Sequence, residues 1–451
     1  MNIPVKKNEK YIVNIIDEGY NGEGIAKIDN FAILINNVIK GEKAEIVITK
    51  VLKSYAYGKF IRIINESEDR CKIDCMSFPK CGGCNLRHMN YKYTLDLKRK
   101  IVQDLVNKNL NTKIIVEEVL GMEEPYYYRN KASFPIGINE QGEIDFGVFA
   151  PRSHRIISNN NCLIQSKISI KIAREIINFI KEKKLTIYNE ETLKGIFRHI
   201  VIRNSKDEKD VMVTIVVNED IDKAIKKELV ENLVLKFDNI KTIIENINNK
   251  NTNVILGEKE EVLYGEGYII DCINDYKFKI SSKSFYQVNR NQVETLYNIG
   301  IKEANLSKED VLYDLYSGIG TIGIIASKSV KKVIMIETIK EAVENAKENI
   351  KLNNIENIEV ICSKVEENID NIKEKPNIII VDPPRKGLDL KTIEVIKKIK
   401  PEKLVYISCN PATLVRDLNK LEEIYNIIRI KPVDMFPYTK HVECVVALNL
   451  R

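Results

Sequence analysis

Several features that would restrict this chain to a special class of protein are missing from its sequence. No apolar run approaches the ~18–20 uncharged residues of a membrane-spanning helix, and the first ten residues, MNIPVKKNEK, lack the apolar core of a signal peptide. The proline, glycine and serine bias of disordered chains is also missing, since 44% of the residues are hydrophobic and 30% are charged. We therefore predict a folded, cytoplasmic protein without a membrane segment.

The length and the charged residues point to a protein of several domains with one basic region. A chain of 451 residues exceeds what one hydrophobic core organises, so we expect two or three domains of roughly 100–200 residues each. Residues 50–100 hold 12 Lys and Arg against 5 Asp and Glu. This excess fits a nucleic-acid-binding surface, and it equally fits a face that is merely solvated.

The first 65 residues read as short strands separated by glycine-containing turns, which predicts a small, OB-like β-barrel. Cations and aromatic rings alternate near the end of this region. Such a pattern is typical of an oligonucleotide-binding face, although plain hairpin packing would also explain it. The residues concerned are Lys50, Lys53, Tyr55, Tyr57, Lys59 and Arg62.

In the rest of the chain the pattern of apolar residues changes twice. Apolar spacing over residues 91–108 predicts a helix, and residues 129–275 read as mixed α and β. From about residue 276, apolar strands alternate with charged helices, which predicts a doubly wound, mainly parallel sheet. The predicted strands of this part are VLYDLYS, KVIMIE, IEVIC, NIIIVD, KLVYIS and ECVVALNL.

A glycine-rich turn lies between the first of these strands and the following helix, and it contains Gly318, Gly320 and Gly323. Glycines there let the backbone approach a nucleotide closely, and Glu337, at the end of the next strand, is placed to accept both ribose hydroxyls. The spacing fits S-adenosylmethionine and a nicotinamide dinucleotide alike. Asp314, just ahead of the turn, favours S-adenosylmethionine, whereas Gly323 alone fits close packing of helix on strand equally well.

A second motif, at the end of another strand, distinguishes between these two cofactors. Asp382 opens the sequence DPPR after the strand NIIIVD, and this sequence resembles the acidic-proline-proline motif of methyltransferases that act on nucleic-acid bases. A dehydrogenase has no need of that motif. The turn and the motif together therefore predict a methyl donor bound at the carboxyl edge of the sheet.

Cys409 ends the strand KLVYIS, where an open α/β sheet has its ligand crevice. Carbon 5 of uracil is a weak nucleophile, so its methylation requires a thiolate that adds at carbon 6. The carbon-5 proton must then leave, which requires a general base, and Glu443 ahead of the last strand is the candidate. A core cysteine and a surface glutamate are the plainer interpretations, and His441 fits a substrate contact or a structural role.

A cluster of cysteines suggests a metal centre. Cys75, Cys81 and Cys84 lie within ten residues, and a fourth ligand would come from Cys71 or from the distant Cys162. Nine cysteines in a reducing compartment are not a disulfide framework. The spacing fits a tetrahedral zinc ion and an iron–sulfur cluster equally.

Taken together, these motifs resemble the RNA 5-methyluridine methyltransferase family, in its iron–sulfur branch that modifies bacterial 23S ribosomal RNA. The resemblance covers nearly the whole chain. It implies a TRAM barrel that binds RNA over residues 1–66, a central α+β iron–sulfur domain over 67–275, and a class I, Rossmann-like methyltransferase domain over 276–451. The stretches that carry it are CGGCNLRHM, YYYRNKASFP, SFYQVN, DLYSGIGTIG, DPPRKGL, SCNPATLVRD and HVE.

The resemblance also implies roles for particular residues. Cys75, Cys81, Cys84 and Cys162 would ligate a [4Fe-4S] cluster, leaving Cys71 outside. Gln287, Tyr316, Glu337 and Asp382 would bind S-adenosylmethionine, Cys409 would be the nucleophile and Glu443 the proton acceptor. The implied reaction is methylation of carbon 5 of a specific uridine in 23S rRNA through a covalent cysteine adduct, carried out by a monomer.

Other interpretations remain open at this point. The same chemistry on a tRNA uridine fits the motifs, and so does an RNA-binding iron–sulfur protein without turnover. An iron–sulfur oxidoreductase that uses a nicotinamide dinucleotide fits the glycines and cysteines. Two departures from the family pattern are the extra Cys71 and Arg87, which replaces a usual glutamine and is expected to alter a local RNA contact.

Overall fold

A computed structural model describes residues 3–150, 153–368 and 374–451. Within these ranges the chain forms three large sheets and one separate hairpin. No helix in the described parts is both long enough and apolar enough to cross a membrane.

The first large sheet has six strands in the order β1-β5-β6-β4-β3-β2, and it curls so that β1 also approaches β3. Burial alternates along β5, where Ala44, Ile46 and Ile48 face the interior with the period of two that a strand imposes. This sheet confirms the predicted small barrel. Its strands are β1 (Lys10–Asn14), β2 (Asp17–Glu18), β3 (Gly24–Ile28), β4 (Phe31–Asn36), β5 (Lys43–Val51) and β6 (Tyr55–Asn65).

Helix α1 (Tyr91–Asn109) connects the N-terminal part of the chain to the C-terminal sheet. The helix begins where the side chain of Asn90 accepts a hydrogen bond from the amide of Tyr93 at 2.8 Å, a favourable N-cap. Val102 and Val106 then enter the same apolar core as the strands of the C-terminal sheet. The predicted helix is confirmed, and this face of it packs on strands that are distant in the sequence.

A second sheet of seven strands occupies the middle of the chain, in the order β13-β12-β11-β10-β7-β8-β9. Helices α2 (Lys167–Glu182) and α3 (Lys223–Lys236) pack against it around one apolar core. The predicted mixture of α and β is confirmed. The strands are β7 (Lys131–Ile138), β8 (Ile144–Phe149), β9 (Ile156–Ser158), β10 (Phe197–Asn204), β11 (Val211–Val217), β12 (Ile240–Ile247) and β13 (Lys259–Tyr264).

A hairpin and a helix lead into the last part of the chain. Strands β14 (Tyr268–Ile273) and β15 (Tyr276–Ser281) pair with each other, and α4 (Arg290–Ala304) follows. Helix α4 packs on the C-terminal sheet, and the hairpin shares its apolar core.

The C-terminal sheet has seven strands in the order β18-β17-β16-β19-β20-β22-β21. The first five are parallel, and β22 is antiparallel to β20 and to β21. The strands are β16 (Val311–Leu315), β17 (Lys332–Glu337), β18 (Ile358–Cys362), β19 (Ile378–Val381), β20 (Lys403–Ser408), β21 (Tyr425–Val433) and β22 (Glu443–Leu450). The helices are α5 (Thr321–Ser327), α6 (Lys340–Leu352), α7 (Val365–Asn368), α8 (Leu390–Ile399) and α9 (Pro411–Leu421).

This strand order confirms the predicted doubly wound, Rossmann-like sheet and sets the position of the site. The carboxyl ends of β16, β17, β19 and β20 lie at one edge, and β22 begins at that same edge because it runs in the opposite direction. In open α/β sheets this edge is where ligands bind.

Candidate active site

The glycine turn after β16 is built around two carboxylates. Asp314 is fully buried and accepts a hydrogen bond from the amide of Gly323 at 2.9 Å, and burial raises its pKa to about 8. Glu337 accepts from the amide of Gly318 at 3.0 Å and from those of Thr338 and Ile339 at 2.7 and 2.9 Å. The carboxylates therefore fix the shape of the turn.

The turn also leaves room and an unused polar group for a ligand. Gly318 has φ of +57°, and a Cβ built on it would meet nothing within 4 Å. The hydroxyl of Ser317 is buried and has no hydrogen-bond partner among the described residues. An open space beside the backbone and an unpaired buried hydroxyl fit a nucleotide-like cofactor at this turn.

The four residues that the resemblance assigns to the cofactor are not equivalent in position. Glu337 ends β17, and its carboxylate accepts a hydrogen bond from the amide of Gly318 in the turn. Asp382 lies close enough to Asp314 to add to the rise in its pKa, which burial mainly causes and the Gly323 hydrogen bond opposes. Tyr316 belongs to the turn with φ of +64°, and its hydroxyl lies 3.2 Å from that of Thr392 in α8. The turn, Glu337 and Asp382 therefore lie close together at the carboxyl edge of the sheet.

Gln287 lies in the segment that leads into α4. It is buried, and its carbonyl accepts a hydrogen bond from the side chain of Asn130 at 3.0 Å. Asn130 precedes β7, so Gln287 stands where the central sheet meets the C-terminal part of the chain. The hydrogen bond that Gln287 accepts in the structure therefore comes from the central part of the chain.

Cys409 and Glu443 lie side by side at the edge of the sheet. Cys409 follows β20 and Glu443 begins β22, and these strands pair so that Ser408 stands opposite Cys444. Glu443 is 2% exposed, and its Oε2 atom has no hydrogen-bond partner among the described residues. A buried carboxylate with a free oxygen beside a thiol is a suitable arrangement for nucleophile and base.

Burial and like charges shift the titration of this pair. Burial raises the pKa of Cys409 to about 11, the carboxyls of Glu443 and Asp382 contribute to the rise, and Arg385 opposes them. Burial, and next the charge of Asp382, raise the pKa of Glu443 well above its usual range. A proton bound to Glu443 therefore favours the thiolate of Cys409, because it removes the nearest negative charge.

A cavity of about 170 Å³ opens beside Cys409. His441 contributes to its wall, and burial, aided by Arg385, lowers the pKa of this imidazole to about 4, so it is neutral at physiological pH. Its ring also packs edge-on against Phe436. The lining residues are Tyr20, Ile101, Arg385, Cys409, Asn410, Pro411, Lys440, His441 and Val442.

Tyr20 is the lining residue that sequence reasoning missed. It belongs to the barrel, and its hydroxyl donates to Oδ1 of Asn410 at 3.3 Å across 390 positions of sequence. No local pattern in the sequence connects the two segments. The turn GYNGEG was visible, but it predicted a hairpin and not an active-site wall.

A second cavity, of about 50 Å³, is lined by the four cysteines Cys75, Cys81, Cys84 and Cys162. Burial raises the pKa of Cys81 to about 11 and that of Cys84 to about 12, and neighbouring thiols add to both shifts. Cys71 does not line this cavity, and its Sγ lies 3.5 Å from the carbonyl of Arg87.

The spacing of the sulfur atoms distinguishes this cavity from a compact metal site. Across the described parts of the chain, the group of ligand atoms that lie within 4.8 Å of one another is carboxylic, from Asp220, Glu245 and Glu261. Lys226 already forms ion pairs with all three carboxylates. No three of the described thiol sulfurs lie that close together.

Arg87 is buried and is not an exposed RNA contact. Its guanidinium donates two hydrogen bonds of 2.7 Å to Asp74 and lies 4.0 Å from the ring centre of Tyr438 and 4.9 Å from that of Tyr126. The arginine therefore joins the cysteine segment to the segment that precedes Glu443. Because its charge is paired within the protein, Arg87 offers little surface to RNA.

Comparison with known proteins agrees with this geometry. Residues 90–451 match the model of the tRNA (uracil-5-)-methyltransferase family, and residues 4–61 match the TRAM domain. RNA methyltransferases of Clostridium acetobutylicum and Clostridium tetani, both of uncharacterised function, are 45% and 43% identical, each covering 99% of this chain and 98% of the relative. The structure of a Pyrococcus abyssi tRNA (uracil-54, C5)-methyltransferase with S-adenosyl-L-homocysteine has a TM-score of 0.78 at 27% identity, covering 97% of this chain and 99% of that one.

The sheet, the glycine turn and the Asp382 cleft define an S-adenosylmethionine-dependent methyltransferase. More narrowly, the chain belongs to the tRNA (uracil-5-)-methyltransferase family and carries an N-terminal TRAM domain. It is an RNA uracil methyltransferase, and the predicted class of enzyme, cofactor and substrate is confirmed.

Proposed function

We propose that this enzyme methylates carbon 5 of a uridine in 23S rRNA through a covalent adduct between Cys409 and carbon 6 of the base. The observation that carries the proposal is the position of Cys409 beside Glu443, with one unpaired oxygen on the buried carboxyl. Asp382 lies close enough to both residues to contribute to the raised pKa of each.

In this mechanism the protein forms and breaks one bond, between Cys409 and carbon 6, and accepts one proton, from carbon 5. Cys409 Sγ adds to carbon 6, and the electrons of the carbon 5–carbon 6 double bond move toward the carbonyl at carbon 4. S-adenosylmethionine, when bound, supplies an electrophilic methyl group to carbon 5. Glu443 then removes the proton of carbon 5, and the electrons of that bond restore the double bond and release the thiolate.

Residues around the glycine turn are proposed to hold the cofactor. Glu337 would accept hydrogen bonds from the ribose, and Asp382, Tyr316 and Gln287 would complete the site. The support is the open space in front of Gly318 and the unpaired hydroxyl of Ser317, both of which a bound ligand would fill.

The barrel is proposed to bind the RNA outside the target nucleotide. Lys50, Lys53 and Lys59 are exposed, and the rings of Tyr55 and Tyr57 pack edge to face at 5.4 Å. Such a mixture of cations and aromatic rings favours single-stranded nucleic acid. Arg62 is less available for RNA, because it forms an ion pair with Glu45 at 2.7 Å.

The four cysteines are proposed to hold a [4Fe-4S] cluster. A tetrahedral zinc site, with zinc–sulfur bonds of ~2.3 Å, requires sulfur atoms only about 3.8 Å apart. No three of the described thiols lie within 4.8 Å of one another, which does not match zinc, and the support for a cluster is that all four cysteines line one cavity. The domain division at 1–66, 67–275 and 276–451, and action as a monomer, complete the proposal.

The test of the cluster is purification without oxygen. We expect iron and acid-labile sulfide in equal amounts with absorbance near ~400 nm, which thiolate-ligated iron–sulfur centres show. The substitution Cys84→Ser should remove this signal, whereas Cys71→Ser should leave it intact. Stoichiometric zinc in place of iron would overturn the assignment.

The test of the reaction uses unmodified transcripts of 23S rRNA and tRNA, followed by mapping of 5-methyluridine. We expect product in 23S rRNA and a stable protein–RNA complex when the target carries 5-fluorouridine. Cys409→Ala should abolish both the product and the complex. Cys272→Ala, at a cysteine that does not line the cavity, should preserve both. An unchanged adduct in Cys409→Ala would refute the covalent mechanism.

A second candidate substrate is tRNA. It is favoured by the solved P. abyssi relative, whose name describes methylation of uracil 54 in tRNA. Product in the tRNA transcript alone would assign the enzyme to that substrate.

A further inference from the structure

The catalytic cavity takes one part of its wall from the RNA-binding barrel. Tyr20, between β2 and β3, lines the cavity together with Cys409, and its hydroxyl bonds to Asn410, the next residue along the chain. Asn410 in turn caps α9 by accepting from the amide of Ala412 at 3.1 Å. The barrel therefore meets the methyltransferase sheet directly at the nucleophile.

The turn that carries Tyr20 has a defined internal conformation. The amide of Gly19 donates to the carbonyl of Glu23 at 2.7 Å, and the amide of Asn21 donates to the carboxylate of Glu23 at 2.8 Å. Gly22 has φ of +79°, which a residue with a side chain rarely adopts. The turn is thus ordered by its own hydrogen bonds.

Further contacts attach this turn to the rest of the enzyme. Asp17 pairs with Lys100 of α1 at 2.7 Å, and the hydroxyl of Tyr93 donates to the carboxylate of Glu18. On the other side, Lys440 donates to Oδ1 of Asn21 at 2.6 Å. Because bonds on both sides hold the turn, the ring of Tyr20 keeps a fixed position over the cavity.

The ring of Tyr20 is partly exposed at the wall of the cavity. Tyr20 is 43% exposed, and it is the one tyrosine or phenylalanine among the described residues that line the cavity. The charged lining residues, Arg385 and Lys440, offer hydrogen bonds but no broad apolar surface. A uracil extruded from an RNA helix loses its stacking partners, and an aromatic side chain is the common replacement.

We propose that Tyr20 is a substrate-contacting residue of the methyltransferase site, with its ring stacked on the extruded uracil and holding carbon 6 against Cys409. The inference rests on the proposed reaction and adds a specific residue from the barrel to it. It follows that the RNA strand enters between the barrel and the sheet, so that the barrel helps to position the reacting base as well as to bind flanking RNA.

The first test is steady-state kinetics on whichever unmodified transcript, 23S rRNA or tRNA, the wild type methylates. Tyr20→Ala should lower kcat/KM for RNA roughly 5- to 140-fold, the equivalent of about 1–3 kcal/mol of stacking on one base. Tyr20→Phe keeps the ring and should restore activity to within about twofold, because the hydrogen bond to Asn410 is exposed and weak. The affinity for S-adenosylmethionine should stay unchanged in both variants.

The second test detects the stacking itself. The chain contains no tryptophan, so Tyr20→Trp introduces a single fluorophore at this site. Formation of the adduct with RNA that carries 5-fluorouridine should quench its emission. Tyr11→Trp is the matched control on the same barrel, since Tyr11 bonds to Glu9 and does not line the cavity, and its emission should not change on adduct formation.

The outcomes separate this inference from the proposed function. Wild-type kinetics in Tyr20→Ala, or unquenched Tyr20→Trp in a complete adduct, would overturn the role of Tyr20 and leave the reaction standing. A wild type that methylates neither transcript would overturn the reaction, and the inference with it. A loss of activity in Tyr20→Phe equal to that in Tyr20→Ala would contradict stacking and indicate a role of the hydroxyl.

Discussion

At the scale of single residues, the central feature is a buried thiol beside a buried carboxyl, both with a raised pKa. The pKa of Cys409 is raised to about 11 by burial and then by Glu443 and Asp382. The pKa of Glu443 is raised by burial and by Asp382. At neutral pH both groups are therefore mainly protonated, and the proposed reaction requires each of them to ionise in turn.

Glu443→Gln should lower the pKa of Cys409, because it removes a negative neighbour of the thiolate. Burial raises the pKa of Glu443 to about 8, so the difference should appear between that pH and the pKa of the thiol. The measurement is the rate of alkylation of Cys409 by iodoacetamide against pH, with Cys409→Ala to subtract the other cysteines. A pH profile identical to that of the wild type would contradict the coupling.

The same substitution should trap the reaction after methyl transfer. Glutamine cannot accept the carbon-5 proton, so the Cys409–carbon 6 bond should persist, with turnover lowered by about 10²–10⁴-fold, the usual contribution of a positioned base. Denaturing gels would show accumulation of the protein–RNA complex on ordinary RNA. The control is Glu423→Gln, at an exposed carboxylate that pairs with Lys397, and this variant should turn over normally.

The sequence predicted those candidate site residues that lie at the ends of strands. Asp382, Cys409 and Glu443 were found because the carboxyl ends of parallel strands meet at one edge, and the structure brings all three to that edge. Tyr20 could not be found in this way, because its contact with Asn410 depends on how two parts of the chain dock. For the same reason, the sequence did not show that Arg87 is buried and paired within the protein.

At the scale of elements, the turn between β16 and α5 combines backbone strain with ligand access. Gly318 and Gly320 have φ of +57° and +86°, so both adopt a conformation that costs other residues about 1 kcal/mol or more. Gly323 instead allows close packing, since a Cβ there would lie 2.5 Å from Cε of Met335. This assigns Gly323 to the contact between helix and strand.

Gly318→Ala should weaken cofactor binding, because its methyl group would occupy the open space in front of the turn. Gly142→Ala is the matched control: Gly142 has φ of +82° and open space around it, but it lies in the hairpin between β7 and β8. We expect at least about a tenfold loss of S-adenosylmethionine affinity, the equivalent of ~1.4 kcal/mol, for Gly318→Ala alone. Equal calorimetric affinities for the two variants would contradict the placement of the cofactor.

Strands and helices were largely predictable from periodicity, and the exception has a physical cause. The six predicted strands of the C-terminal sheet are confirmed, whereas β21 was missed. Its sequence, YNIIRIKPV, interrupts the apolar positions with polar residues that are not fully buried, and a proline stands near its end. Its membership in the sheet comes from pairing with β22 and not from a pattern of its own.

At the scale of the whole molecule, a buried ion pair joins the N-terminal half to the catalytic half. Nζ of Lys98 lies 2.6 Å from Oδ1 of Asp434, and both side chains are fully buried. Tyr91 also donates to Asp434 at 2.9 Å, and Lys98 donates to the carbonyl of Phe436 at 3.1 Å. This cluster holds α1 against the segment that leads to Glu443.

Lys98→Met should therefore be strongly destabilising, because it leaves the carboxylate of Asp434 buried and without its cation. We expect a loss of about 3–5 kcal/mol in the free energy of unfolding. Lys100→Met, two residues along the same helix, removes a partly exposed pair with Asp17 and should cost only about 0–1 kcal/mol. Urea-unfolding midpoints of the two variants check this, and equal midpoints would argue against the cluster as a structural link.

The path of α1 also bears on how the enzyme is made on the ribosome. Val102 and Val106 belong to a core whose other members include Leu414 and Leu448. At about 5–20 residues per second, translation needs tens of seconds to reach those later partners after the helix emerges. The face of the helix that carries Val102 and Val106 therefore lacks its partners from the C-terminal sheet until that sheet has been synthesised. Glu443 lies at the start of the last strand, so the proposed catalytic pair is complete only when almost the whole chain has been synthesised.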